Sequence, residues 1–363
     1  MEEQSPQQPG EPRHDEPALT PLGVPADRHV DQHDPDVIAL SPEMAVAEGD
    51  VRLFDDDGFI RSSSLWRDAW RRLLKNKLAV FGLVVVVVIT IASIIGPTVI
   101  HKAFGFTPDY IPSNDQKLVK SFPPFGGPDD KFSWLHPMGT DNSGRDLLAR
   151  VLQGGQISLF VGVISTLVSL LIGVSYGAIA GYIGGRLDNL MMRLVDVLYS
   201  LPYVILVIVL LSMFRSQTPR GQLVLLFVAL GSVSWLTMAR IVRGQVLSIK
   251  NQEFILAARA TGVSTLRIIF RHIVPNTLGP VIVYATLTIP QVMLTEAFLS
   301  FLGFGVQAPL ASWGSLASDG AQNIAIYPWQ IIFPGVTMAL TLFSLNFLGD
   351  GLRDALDPQM RTD

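Results

Sequence analysis

The 363 residues contain no cysteine. That excludes a disulfide framework, a zinc site built on thiolates and catalysis by a cysteine nucleophile. Charge is also scarce: Asp, Glu, Lys and Arg make up 16% of the chain, against roughly a quarter in soluble domains. Hydrophobic residues make up 49%. A wholly disordered chain needs the reverse balance. No GxxxxGK followed by Ser or Thr occurs, so the chain has no P-loop with which to cradle a nucleotide.

Basic residues are nearly missing from the first 60 positions, which hold fifteen acids, three Arg and eight Pro. Their net charge is −12, and the remaining 303 residues carry +8. Residues 1–60 therefore read as a disordered, acidic, Pro-rich tail that buries too little apolar surface to offset the entropy of ordering. The segment has neither a basic start nor an apolar stretch behind it, so it does not read as a secretory signal. His14, His29 and His33 repeat no ligand spacing and read as solvated rather than metal-binding.

From Leu65 the composition changes. Uncharged runs long enough to span a bilayer, about 18 residues or more, occur at Leu78–Ile100, Val151–Gly185, Val197–Phe214, Gly221–Ala239, Ile273–Thr295 and within Gly320–Gly349. Six transmembrane helices, an all-α membrane protein, is the economical solution, because a helix satisfies its own backbone in lipid. The expected organisation is a tail at 1–60, a basic juxtamembrane segment with the first span at 61–100 and an extracytoplasmic loop at 101–156. Spans two to six follow in a core at 157–350, with a cytoplasmic loop at 240–275, and 351–363 form the C-terminus.

Sixteen of the 24 basic residues after position 60 fall on one side of this topology. They include Arg67, Arg71, Arg72 and Lys75 before span one, and Arg240, Arg243, Arg267 and Arg271 between spans four and five. Six of the other eight lie in the long 101–156 loop, where the rule is weak. Both termini are therefore expected in the cytoplasm. Trp66, Trp70, Tyr327 and Trp329 lie near span ends, where interfacial aromatics collect.

Gly173, Gly177 and Gly181 repeat every fourth residue of span two and form a smooth face for close helix packing. Pro202, Pro280, Pro290 and Pro334 break hydrogen-bond ladders, which suits either kinks or a water-lined path.

The loop from Asn251 to Asn276 carries the most information. Gln252–Thr261 reads as a helix with Glu253 in its early turns and Gly262 ending it. Ser264 can cap a second helix, in which Leu266, Ile269 and Ile273 share a face. The small residues Ala257, Ala258 and Ala260, exposed for close contact, suit docking into a partner's groove. A basic amphipathic helix resting on headgroups is the competing reading.

Ala257-Ala258-Arg259, then Gly262, then His272-Ile273-Val274-Pro275, resembles the EAA loop of ABC importer permeases. Leu256 stands where that motif's acid would be, and His272 where an apolar residue is common. Four further stretches resemble the oligopeptide/dipeptide/nickel branch and its C-type member. They are Ser64–Leu83, the outer signature GTDxxGRD (Gly139, Thr140, Asp141, Gly144, Arg145, Asp146), Thr295–Gly314 and Phe347–Pro358. The resemblance implies a type I ABC importer permease fold and a B-type permease partner. It also implies two ATPase subunits, which would bind ATP and Mg, and an extracytoplasmic substrate-binding protein. No cofactor or metal is expected on this chain itself. The implied coupling residues are Glu253, Phe254, Ala257, Ala258, Arg259, Ala260 and Gly262. Di- or oligopeptides are the implied cargo, with nickel or another small solute as the alternative.

Leu152-Gln153-Gly154-Gly155-Gln156 looks like the signature of ABC ATPases, but without a P-loop it has no nucleotide to meet. Asp141, Arg145 and Asp146 read as a structural turn with an Arg–carboxylate pair rather than acid–base machinery. Glu296, near the outer end of span five, is a candidate substrate or partner contact. An ion-driven secondary transporter would want acids or His at the bilayer midplane, and no run has one at its centre.

Overall fold

The computed structural model describes residues 65–105, 107–110, 121–126, 132–214 and 216–356. The expected tail at 1–60 lies outside them, as do 357–363 and the side chain of Trp66. The chain divides between Ser62 and Ser63, and the second unit, Ser63–Asp363, holds every described element.

The described elements are helical. A short helix, α1 (Leu65–Lys75), meets α2 (Lys77–Phe104) at Asn76. The Asn76 side chain accepts hydrogen bonds from the Leu78 and Ala79 amides at 3.1 and 3.2 Å, which caps α2. α3 (Leu147–Ile183) starts at Asp146, whose carboxylate accepts from the Ala149 amide at 2.7 Å. α6 (Pro219–Ile249) packs along α3, and α11 (Trp329–Leu356) lies against α2.

Among the described residues five helices are long and apolar enough to cross a membrane: α2, α3, α6, the stretch Thr265–Phe301, and α11. The third expected span, Val197–Phe214, is not one straight helix. Its residues divide between α4 (Gly185–Tyr199) and α5 (Tyr203–Met213), which meet at 85°. Pro202 is the physical reason: it offers no N–H, and it disfavours helical backbone at Leu201.

The expected loop 240–275 is also mostly helix. α6 runs on to Ile249, α7 covers Glu253–Ala260, and a short α8 (Thr265–Arg267) leads through a wide π-helical turn, Ile268–Ile273, into α9 (Val274–Phe301). Pro275 follows that turn at once and cannot donate a ladder bond. The Asn276 side chain donates to the His272 carbonyl at 2.6 Å. The wide turn changes which residues share a face. Ile268, Ile269 and Ile273 are buried, while Leu266, expected with the last two, is 64% exposed.

The glycine face of α3 meets α6 directly. A Cβ on Gly173 would sit 2.6 Å from the Met238 Cβ, one on Gly177 would meet the Ala239 carbonyl oxygen, and one on Gly181 would sit 3.0 Å from the Arg243 carbonyl oxygen. Gly154 and Gly155 of the LQGGQ stretch serve packing too. They lie inside α3 against the start of α10 (Trp313–Ala321), where Trp313 is fully buried. The Trp313 indole donates to the Val151 carbonyl at 2.9 Å.

Candidate functional site

The candidate site is the end of the molecule that carries α7. Ile255 is buried there against Ile268, Ile269 and Ile273, with Val242, Val246 and Ile249 of α6 in the same cluster. One face of a two-turn helix is thereby fixed to the ends of α6 and α9. The other face is free: Glu253, Phe254, Leu256, Ala257 and Ala260 are exposed, and Ala258 is half-buried. Phe254 and Leu256 present 42% and 48% of their surfaces.

Polar contacts fix the same helix to α3. The Arg259 guanidinium lies 4.7 Å from the centre of the Tyr182 ring and donates to its hydroxyl at 3.0 Å. Lys250 donates to the Gly181 carbonyl at 3.0 Å. Gly181 is also the last of the three packing glycines, so the bond from Lys250, at the end of α6, closes the α3–α6 contact just before α7 begins. α7 closes at Gly262, whose φ is +77° with nothing within 4 Å of a would-be Cβ. The demand for glycine there is conformational, not steric. The Val263 amide donates to the Ala258 carbonyl at 3.1 Å, which satisfies the helix end.

The opposite end of α3 holds the GTDxxGRD residues, and the structure brings them together. Asp141 accepts from the amides of Ser143 and Arg145 at 2.8 and 2.9 Å and from the Arg145 side chain at 2.7 Å. Asp146 caps α3 and meets His136 at 2.9 Å. Thr140 is buried, and its carbonyl accepts from Gln330 at 3.1 Å. A Cβ on Gly139, where φ is +78°, would meet the Phe122 carbonyl and the Trp329 indole nitrogen. The motif is thus a fastening between the 121–126 segment and the starts of α3 and α11, as an Arg–carboxylate turn requires.

Glu296 is placed differently from expectation. It is 1% exposed and accepts from Ser300 at 2.6 Å, from Ser312 at 2.7 Å and, more loosely, from Ser158 at 3.5 Å. Its carboxylate joins α9, α3 and the segment before α10. The sequence pointed to an ionisable residue but held no sign of three serines 4, 16 and 138 positions away.

His136, Tyr182, Lys250 and Gln330 are supports that the sequence reading missed. Tyr182 and Lys250 had a usable signal, since each flanks a helix end beside the glycine face. His136 and Gln330 had none, because their partners are brought close only by the fold.

Residues 173–362 match the family described as binding-protein-dependent transport system inner membrane component. Residues 64–121 match the N-terminal TM domain of oligopeptide transport permease C. The chain belongs to this permease family. It is 51% identical over 302 residues to the oligopeptide transport system permease protein OppC of Escherichia coli (strain K12), covering 83% of this chain and 94% of that one. It is 45% identical over 301 residues to the dipeptide transport system permease protein DppC of Bacillus subtilis (strain 168), covering 83% of this chain and 88% of that one. An inward-facing MetNI methionine ABC transporter structure aligns at a TM-score of 0.47 and 20% identity, over 58% of this chain and 96% of that one. The chain is thus a C-type permease component of an ABC importer, which implies ATPase and substrate-binding partners.

Proposed function

We propose that this chain is one permease half of an ATP-driven importer of di- and oligopeptides, paired with a distinct B-type permease. Both termini face the cytoplasm, in keeping with the basic residues gathered on that side. α7 is the coupling helix, and Glu253, Phe254, Ala257, Ala258, Arg259, Ala260 and Gly262 form or shape its docking face. Two ATPase subunits bind ATP and Mg and perform all hydrolysis, and this chain binds no cofactor or metal. The substrate-binding protein delivers cargo to the opposite end, at or near Gly139–Asp146.

A single observation carries the reading. A helix with an exposed apolar-and-small face is fixed by its buried Ile255 to the Ile268–Ile273 turn that leads into α9 and to the end of α6, and by Arg259 to Tyr182 of α3, so displacement of α7 moves spanning helices as bodies. The reading is tested by reconstituting the permease with its ATPase and binding-protein subunits and following a radiolabelled tripeptide. Uptake should require ATP and the binding protein and survive collapse of ion gradients. Uptake that runs without ATP overturns it in favour of an ion-driven carrier. Uptake of nickel but of no peptide overturns the assignment of cargo.

A further inference from the structure

A groove of about 690 Å³ opens where α4, α5, α6 and α9 meet. Tyr284, Thr288, Gln291 and Thr295 line it from α9. Their spacings of four, three and four place a polar stripe of about 16 Å on one face of an apolar spanning helix. Ser234 and Thr237 line it from α6, and the Tyr203 hydroxyl lies 3.2 Å from the Ser234 hydroxyl. Gln291 is exposed, and among the described residues its amide meets no hydrogen-bond partner. A bare amide facing lipid tails is costly, so Gln291 is expected to face water, cargo or another polypeptide.

The backbone adds to this surface. The 85° bend at Ser200–Pro202 lies on the groove wall, and α5 begins there with no side-chain cap. Its first-turn N–H groups are therefore available as donors, in the manner of discontinuous helices in transporters. A second groove, of about 360 Å³, lies further along α5 and α6 and behind the end of α9, with Gln217, Gln222 and Gln307 on its wall. Among the described residues lining either groove none is charged.

We propose that these grooves are this chain's wall of the translocation path, with Gln291 as its central contact. They pass cargo by uncharged hydrogen bonds to the main chain of an extended peptide. This rests on the importer reading above and extends it to the chemistry of the cargo. A peptide main chain alternates N–H and C=O groups whatever its side chains are. Amide and hydroxyl side chains both donate and accept, so they suit that pattern, while a fixed charge would favour one cargo charge over another.

The absence of cysteine from this chain makes the test direct once any cysteines of the partner subunits are replaced by serine. Gln291→Cys, Thr295→Cys and, as a lipid-facing control on α2, Val88→Cys are placed in the complete complex in proteoliposomes. A cationic methanethiosulfonate reagent is then applied with and without ATP. Gln291→Cys and Thr295→Cys should react about tenfold faster than Val88→Cys in at least one condition, because only a wetted thiol ionises readily, and modification should block uptake. Reaction as slow as at Val88→Cys in every condition overturns the path assignment. In a second arm, Gln291→Lys should lower the uptake of tri-lysine relative to tri-glutamate, and Gln291→Glu should raise it. A ratio left unchanged by both overturns Gln291 as a cargo contact. If the unmodified complex takes up neither tripeptide, the peptide chemistry falls with the importer reading, while the labelling arm still decides whether the groove is a path.

Discussion

Arg243 of α6 holds both carboxylate oxygens of Asp188 of α4, at 2.6 and 2.7 Å. Asp188 is buried, and one turn of α6 away Arg240 reaches Asp196 at 2.7 Å. These two pairs hold α4 on α6.

Removing the Asp188 charge breaks two charge-assisted hydrogen bonds at about 1–3 kcal/mol in all, because the Arg243 left behind is 32% exposed and partly screened by solvent. Asp188→Asn should therefore lower the melting temperature of the purified complex clearly. Asp196→Asn, at an exposed pair, should change it little. Arg243→Lys keeps the charge but loses the two-pronged geometry, so it should fall between them. Thermal unfolding in detergent checks all three.

The contact between α3 and α6 leaves no room for a methyl group at Gly177. Gly177→Ala is expected to cost about 1–3 kcal/mol through overpacking, despite alanine's better helix propensity. Gly244→Ala, where nothing lies within 4 Å, is the control and should be neutral or slightly stabilising. Folded yield after membrane extraction, compared between the two, measures the difference.

Glu296 fastens three elements through serine hydroxyls. Glu296→Ala leaves Ser158, Ser300 and Ser312 without their shared acceptor, at about 1–3 kcal/mol for buried polar groups left unpaired. Proteolysis in the 302–312 segment should accelerate in this variant. Glu296→Gln, which keeps an acceptor oxygen, should show a smaller effect. Equal cleavage in all three proteins would contradict the fastening role.

The left-handed backbone at Gly262 costs any residue with a Cβ about 1–2 kcal/mol. Gly262→Ala should weaken the end of α7, with reduced recovery of ATPase subunits in affinity purification and normal membrane insertion. Full recovery of those subunits with normal uptake would argue that the shape of the turn is immaterial.

The apolar runs made most of the architecture legible, because a bilayer demands about 20 apolar residues per helix whatever the fold. The glycine spacing on α3 was equally legible, since three residues four apart share one helix face. The broken third span was not: hydropathy averages over Val197–Phe214 and does not see that Pro202 turns the chain. The end of α6 was missed for a related reason. Arg240 and Arg243 read as loop residues because they are charged, yet Asp196 and Asp188 neutralise them on the helix. Leu266 was misplaced by the π turn, which no 3.6-residue period anticipates. The face of Glu296 was unreadable because its partners come from distant parts of the chain.

The central claim is that α7 transmits the work of the ATPase subunits to the spanning helices. Ala257 is exposed on α7 and bonded to nothing by its side chain, so Ala257→Asp alters the docking face without disturbing the fold. The decisive measurement is ATP-dependent tripeptide uptake by proteoliposomes holding the native or the Ala257→Asp complex at equal permease content. The native complex should show uptake, and the variant should lose at least most of it while the permease itself remains folded. Uptake by Ala257→Asp at the native rate, with the same ATP requirement, would contradict it.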